Sequence, residues 1–150
     1  MTDEERYTFS SLMTLLIESE RKLHQLYETT AEETSHAKLK SFLSDSGKNS
    51  LKRMKMMQRA HVENVMEMML EPLTGLNLAG LLATIDTTVE NTRVSNIEKT
   101  VILERTMSEL YASTSPKIVQ ISTETSELLM ALSRQSMELL HELEQYITSG

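Results

Sequence analysis

Two glutamates lie where a soluble helix would normally place an apolar side chain. Glu20 falls between Met13 and Leu23 on the apolar stripe of its segment, and Glu104 takes the same place in a later segment. A buried carboxylate must be protonated, paired with a cation or bound to a metal, because an isolated charge is costly to remove from water. These two residues therefore predict either a metal site or an ion-pair cluster inside the fold.

Each glutamate begins one copy of a weak internal repeat. Residues 20–27 read ERKLHQLY and residues 104–111 read ERTMSELY, so each copy ends on a tyrosine. Residues 48–51 (KNSL) and 134–137 (RQSM) also align, at nearly the same offset along the chain. Agreement at both places favours duplication of a helical hairpin over chance similarity between amphipathic helices. Pseudo-symmetry would then bring the two glutamates together near the centre of the molecule.

Apolar residues recur at the spacing of an α-helix through most of the chain. Breaks occur at Pro72, Gly75 and Gly80, and again at Pro116, which suits the first turn of a helix. The pattern predicts one all-α domain, a four-helix bundle with long helices near residues 3–34, 36–70, 88–114 and 116–148. The first two and the last two form antiparallel hairpins. Residues 71–87 join the hairpins as a crossover, which is long enough to contain a short helix.

Composition narrows the classes of function. The 150 residues include 15 Lys plus Arg and 22 Asp plus Glu, for a net charge of -7, and there is no cysteine. The lack of cysteine excludes disulfide scaffolds and cysteine-based zinc modules, and the acidic balance argues against nucleic acid as the main partner. No apolar run reaches the roughly 18 residues of a membrane span, and the acidic start is unlike a signal peptide. We expect a cytoplasmic protein that binds neither nucleic acid nor membrane.

The chain resembles the ferritin-like superfamily and, within it, the rubrerythrin-like small four-helix bundles. The resemblance rests on helix number and length, on the crossover, and on the glutamates that precede Tyr27 and Tyr111 by seven residues. In that family the first and third helices each supply one glutamate, and the second and fourth each supply Glu-x-x-His, so that two iron or manganese ions are bound. The resemblance implies that Glu20 and Glu104 match ligands of the first kind.

The ligands of the second kind are where this sequence departs from the family. The expected Glu-x-x-His positions are Ser50 and Arg53 in helix two, and Ser136 and Leu139 in helix four. A register shifted by one residue gives Asn49 and Lys52, and Gln135 and Glu138. A normal di-iron site is therefore not expected. Instead, we predict that Arg53 bridges Glu20 and Glu104, and that Tyr27 and Tyr111 complete a buried polar cluster in place of the metal.

Three further residues are candidates for an altered metal site. Glu138 and His141 form a literal Glu-x-x-His, but the helical phase points both away from the core, which favours surface positions. His24 lies one turn after Glu20, and we favour a core histidine that is hydrogen-bonded to Glu20 or Tyr111. The alternative is a mononuclear iron, manganese or zinc site with three ligands: Glu20, His24 and Glu104.

The second helix also has an unusual composition. It holds 7 of the 15 basic residues, and four of them form an outward stripe: Lys48, Lys52, Lys55 and Arg59. Such a stripe is usually a solvated face, and the alternative is a docking surface for an acidic protein or a second copy of the chain. Met54 and Met57 fit the core, whereas Met56 and Met68 are placed to face a partner.

The favoured interpretation is a degenerate ferritin-like protein without a di-iron centre. It would be a non-catalytic binding or structural module that needs no cofactor and forms a homo-oligomer, with a dimer favoured. The alternative is a metal-binding oxidoreductase or metal-handling protein that uses iron or manganese at an altered site. A third interpretation, a helical signalling bundle, requires a ligand cavity near Met54 and Met107.

Overall fold

The computed structural model describes residues 6–64 and 72–148. Over these ranges the chain forms five helices: α1 Phe9–Glu33, α2 Ala37–Glu63, α3 Ala79–Glu90, α4 Asn96–Ile118 and α5 Thr123–Thr148. The strand-like pairing in the same ranges is an isolated antiparallel bridge between Tyr7 and Leu73. The prediction of an all-α fold is confirmed.

Side-chain caps define where three of the helices begin. Thr8, His36 and Ser95 each accept a hydrogen bond from the backbone N–H three residues later, at the starts of α1, α2 and α4. Each cap satisfies one of the N–H groups that the first turn of a helix leaves without a partner. These polar residues therefore begin the helices that carry the two glutamates and Arg53.

Hydrogen bonds between helices show that each hairpin is antiparallel. Ser10 Oγ lies 2.7 Å from His61 Nε2 where α1 begins and α2 ends. Further along, His24 Nδ1 lies 2.7 Å from the carbonyl oxygen of Gly47. In the other hairpin, α4 and α5 are joined by two reciprocal serine pairs, Ser108 with Ser133 and Ser115 with Ser126. Both hairpins therefore consist of two antiparallel helices joined by hydrogen bonds between side chains and neighbouring backbone or side-chain atoms.

The hairpins meet through α1 and α4, which are antiparallel to each other. Tyr27 is bonded to Glu104 and Tyr111 to Glu20, so the earlier residue of α1 faces the later residue of α4. It follows that α2 and α4 point the same way, and the chain between them must return along the length of the helices. The short helix α3 lies in this connection and packs mainly on α4.

Packing among the four long helices is uneven. α1 packs along α2, and α4 packs along α5, while α1 meets α4 less extensively. Among the neighbouring pairs of long helices, α2 and α5 pack least closely. The apolar core therefore lies between the hairpins, and the junction of α2 with α5 is its most open side.

The observed helix boundaries differ from the predicted ones at the first helix, after the crossover and near the proline. α1 begins at Phe9, with Thr8 as its cap, rather than near residue 3. The third long helix begins at Asn96 rather than residue 88, because α3 continues to Glu90 and Ser95 caps the next helix. Pro116 does not begin a helix: it lies in the last turn of α4, before α5 starts at Thr123. Tertiary packing explains the continuation, since Ile118 is fully buried beyond the proline. The predicted end of helix two, near residue 70, lies outside the described residues.

Candidate functional site

A buried cluster of charged side chains lies between the helices. Glu20 on α1, Arg53 on α2 and Glu104 on α4 are each no more than 1% exposed. Arg53 Nη2 donates a hydrogen bond to Glu104 Oε1 at 3.1 Å. Its Nε lies 3.2 Å from Glu20 Oε1, in an ion pair without hydrogen-bond geometry. The structure thus places one guanidinium between the two carboxylates.

Each carboxylate is also held by the tyrosine of the opposite helix. Tyr27 of α1 donates to Glu104 Oε1 at 3.0 Å, and Tyr111 of α4 donates to Glu20 Oε1. Both tyrosines are fully buried, so these bonds satisfy hydroxyl groups that have no access to water. Each tyrosine therefore bonds to the glutamate of the other repeat copy, as expected if the two copies are related by a pseudo-two-fold axis.

Two serines from the second arms of the hairpins complete this buried cluster. Ser50 Oγ donates to Glu20 Oε2, and Arg53 Nη1 donates to Ser136 Oγ at 2.8 Å. Both serines are fully buried. From the sequence, Ser50 and Ser136 were identified only as positions where the resemblance would put metal ligands, and their hydrogen bonds in the cluster were not predicted. The sequence feature that could have indicated a shared role is the alignment of KNSL with RQSM, in which the two serines coincide.

Burial and the neighbouring charges shift the pKa values of several side chains in the cluster. Desolvation raises the pKa of Glu104 to about 7, opposed by Arg53 and reinforced by Glu20. Desolvation lowers the pKa of Arg53, but the two carboxylates together raise it by more, so the guanidinium stays charged. Desolvation and the neighbouring carboxylates raise the pKa of both tyrosines, which therefore remain hydrogen-bond donors.

The cluster is short of one positive charge. Two carboxylates face one guanidinium, so the group carries a net negative charge when both acids are ionised. Glu104 Oε1 accepts from Tyr27 and Arg53, whereas Glu104 Oε2 has no hydrogen-bond partner among the described residues. The unpartnered Oε2 adds to the cost of ionising Glu104, because a buried carboxylate oxygen without a hydrogen bond has lost its hydration.

The residues around Glu20 and Glu104 do not fit the two iron or manganese ions that the resemblance implies. Ser50, Arg53 and Ser136 contact the carboxylates or each other where acidic and histidine ligands would be needed. The guanidinium also lies where a cation would have to bind. No group of three or more His, Asp or Glu side chains in the described part of the chain is arranged to hold a metal ion.

His24 lies at the edge of the cluster rather than in it. Its Nδ1 is bonded to the Gly47 carbonyl oxygen, and its Nε2 lies 2.7 Å from Glu28 Oε1. Both ring nitrogens are therefore engaged away from the expected partners, Glu20 and Tyr111. The reason is that α1 and α2 approach each other closely at Gly47, where an added Cβ would lie only 3.4 Å from Tyr27 Cβ. This close approach brings the Gly47 carbonyl oxygen within hydrogen-bonding distance of His24 Nδ1.

The other candidate metal ligands and the basic stripe lie on the surface, whereas most of the methionines singled out in the sequence are buried. Glu138 and His141 are exposed on α5, so the structure does not bring them to Glu20 or Glu104. The basic stripe is exposed along α2: Lys48, Lys52, Lys55 and Arg59. Met54, Met57 and Met107 are buried and Met56 is 45% exposed, while Met68 lies outside the described residues.

A cleft of about 460 Å³ opens between α2 and α5 above Arg53. Lys52 and Met56 line it from α2, and Glu138 and Glu142 line it from α5. The cleft lies where the two hairpins pack least closely. Arg53 is the residue of the buried cluster that lines it.

Comparisons with known proteins give no match: no protein-family model, no curated protein and no solved structure is sufficiently similar to this chain. Among the helices of the described ranges, none is both long and apolar enough to span a membrane.

Proposed function

We propose that this protein is a degenerate ferritin-like bundle that acts as a non-catalytic binding or structural module. The observation that carries the proposal is the position of Arg53 between Glu20 and Glu104. The guanidinium provides a fixed positive charge at the place where the family binds metal ions. An arginine cannot be removed by a chelator or exchanged for another ion, so it holds the carboxylates permanently.

The directions of the helices support the ferritin-like part of this proposal. The first and third long helices, α1 and α4, each contribute one buried glutamate and face each other in opposite directions. α2 and α4 run the same way, joined by a long connection that contains α3. The crossover and the two glutamates are among the features by which the sequence resembles the superfamily.

The chemistry of the cluster supports a non-catalytic role. Oxygen or peroxide activation in this superfamily depends on metal ions that change oxidation state and keep an open coordination position. A guanidinium does neither, and it does not release its proton under ordinary conditions. The cluster instead connects side chains of the four long helices through hydrogen bonds and ion pairs. The protein then acts through its surface.

Metal loading tests the proposal. Protein incubated anaerobically with Fe(II), Mn(II) or Zn(II) and then desalted should retain metal well below one ion per chain. The Glu20→Gln/Glu104→Gln variant should retain the same amount. Glu32→Gln/Glu109→Gln is a matched control, because it removes one exposed carboxylate from each of the same two helices, α1 and α4. Stoichiometric metal in the wild type and the control that is lost in Glu20→Gln/Glu104→Gln would contradict the proposal and support the metal-binding alternative.

A further inference from the structure

The cleft between α2 and α5 is lined mainly by polar and charged side chains from both helices. Its volume of about 460 Å³ is within the range of small-molecule sites in proteins. Outside the buried cluster, three carboxylates and one lysine line it: Asp45 and Lys52 from α2, and Glu138 and Glu142 from α5. The walls of the cleft therefore carry net negative charge.

Two hydrogen bonds show how α2 and α5 are aligned along the cleft. Arg53 donates to Ser136, and Asn64 Nδ2 donates to Thr125 Oγ1 at 3.4 Å. Eleven residues separate the two contacts on each helix. The helices are therefore antiparallel and keep one register between the contacts.

In this register the negative charge is concentrated at one end of the cleft. Asp45 and Glu142 are within two residues of one level, or about 3 Å of helix rise. Neither carboxylate has an ion-pair or hydrogen-bond partner in the part of the chain that the structure describes. Glu138 lies one turn away along α5, where Lys52 faces it from α2. We call the part of the cleft at Asp45 and Glu142 the acidic end.

Phe42 adds an aromatic surface to the acidic end. It lies one turn before Asp45 and lines the same cleft, and its ring packs on that of Tyr146 with the centroids 4.8 Å apart. The face of an aromatic ring attracts an organic ammonium group, because the ring quadrupole is negative above and below its plane. Carboxylates beside such a ring are suited to an organic cation, whose methylene groups also pack on the ring.

The rest of the cleft is suited to a long, flexible molecule. Met56 and Leu139 add apolar side chains beyond the acidic end, and Asn49 and Gln135 add amides that donate or accept hydrogen bonds. From Phe42 to Met56 the cleft extends along roughly 21 Å of α2. A methylene chain matches the apolar side chains, and ammonium groups match the carboxylates.

We propose that this cleft binds an aliphatic polyamine, with one ammonium group at the acidic end and the methylene chain directed toward Met56. Glu138 is available to a second ammonium group, since its Cβ lies one helical turn, about 5–6 Å, from that of Glu142. An acidic ligand would be repelled by the same carboxylates. Arg53 does not oppose a cation, because the two buried carboxylates beside it outweigh its charge.

Isothermal titration calorimetry with spermidine as the probe tests the proposal. At low salt the wild type should bind one spermidine per chain with a Kd of about 0.1 mM, and the affinity should fall as salt rises. Asp45→Asn/Glu142→Gln should weaken binding by about tenfold or more, because it removes two charged acceptors. Phe42→Leu should weaken it about threefold. Lys52→Gln should tighten it, because it removes the opposing lysine.

Glu32→Gln/Glu109→Gln is the matched control, because it removes two exposed carboxylates from helices that do not line the cleft. It should bind spermidine as the wild type does. Equal weakening by the control and by Asp45→Asn/Glu142→Gln would show that spermidine is only a counterion of an acidic protein, and this would overturn the proposal. A wild type without saturable binding would also overturn it. Circular dichroism of each variant ensures that only folded proteins are compared.

The proposal deepens the proposed function and rests on it, because it names the class of ligand for a binding module. Metal loading tests that function separately. A chain that binds spermidine in the cleft but also holds metal at Glu20 and Glu104 would contradict only the proposed function. A chain that holds no metal and binds no spermidine would contradict only the polyamine site.

Discussion

At the scale of single residues, the central feature is one guanidinium shared by two buried carboxylates. Such a group need not add stability compared with an apolar core, because removing three charges from water is costly. Removing one member, however, leaves the others uncompensated. The effects of substitutions in the cluster on stability should therefore be strongly coupled. The stability lost by replacing one charged member should be recovered when the other two are also replaced by uncharged residues.

Replacing Arg53 by Met tests this coupling. The change leaves Glu20 and Glu104 without a cation, so we expect the free energy of unfolding at pH 7 to fall by about 3–5 kcal/mol. Glu20→Gln/Arg53→Met/Glu104→Gln should recover most of the loss, as measured by chemical denaturation. Lys52→Met, at an exposed neighbouring position, is the control and should change stability by about 0.5 kcal/mol or less. Equal effects of Arg53→Met and Lys52→Met would contradict the account.

The raised pKa of Glu104 predicts an unusual dependence of stability on pH. Between its ordinary pKa of 4.5 and its folded pKa of about 7, the folded chain holds a proton that the unfolded chain has released. The contribution of Glu104 to the free energy of unfolding therefore decreases as pH rises through this range, and it is constant above it.

Glu104→Gln isolates that contribution, because glutamine cannot release a proton. We expect the wild type to lose stability relative to Glu104→Gln between pH 5 and pH 7. Urea denaturation at several pH values measures the difference. A difference that stays constant, or that changes in the opposite direction, would show that Glu104 remains ionised in the folded protein.

At the scale of the elements, the inward direction of the glutamates could be predicted from the sequence. Helical periodicity identifies which side chains share a face, and Glu20 and Glu104 both lie on apolar faces. Arg53 could be predicted as their partner because it stands one turn after Ser50, at a position where the superfamily that the sequence resembles has a metal ligand. These inferences depend on angles within a single helix, which sequence spacing determines.

Other details depend on distances between helices, and the sequence could not predict them. His24 contacts the Gly47 carbonyl because α1 and α2 approach closely there. Pro116 continues α4 because Ser115 and Ile118 on either side of it are buried, Ser115 in a reciprocal contact with Ser126. In each case tertiary packing outweighs the local preference of the residue.

We predict that α2 can be given the Glu-x-x-His ligands that the resemblance implies. Ser50→Glu/Arg53→His places Glu-x-x-His on the face of α2 that contacts Glu20, where it would replace the guanidinium. We expect this variant to be less stable than the wild type without metal. Zn(II) or Mn(II) should stabilise it, by about 2.7 kcal/mol when the metal concentration is a hundred times Kd.

The matched control is Asn49→Glu/Lys52→His, which has the same spacing but lies on exposed positions of α2. Thermal unfolding with and without metal compares the two variants with the wild type. Stabilisation confined to Ser50→Glu/Arg53→His supports the account. Equal stabilisation of the control, or of the wild type, would show that the face of α2 is not what determines metal binding.

At the scale of the whole molecule, the buried cluster joins the two hairpins, because its members come from all four long helices. We expect the folded chain to form a homo-oligomer, with a dimer favoured. Because association stabilises the folded state by mass action, Tm should rise with protein concentration. A Tm that is independent of concentration would argue against association.

The central claim is that arginine takes the place of metal at this site. A crystal structure of protein grown with Mn(II), with anomalous scattering measured at the manganese edge, tests it most directly. The account predicts the Arg53 guanidinium between Glu20 and Glu104 and no anomalous peak beside either carboxylate. A manganese peak bound by Glu20 and Glu104, with Arg53 displaced toward the cleft, would contradict it.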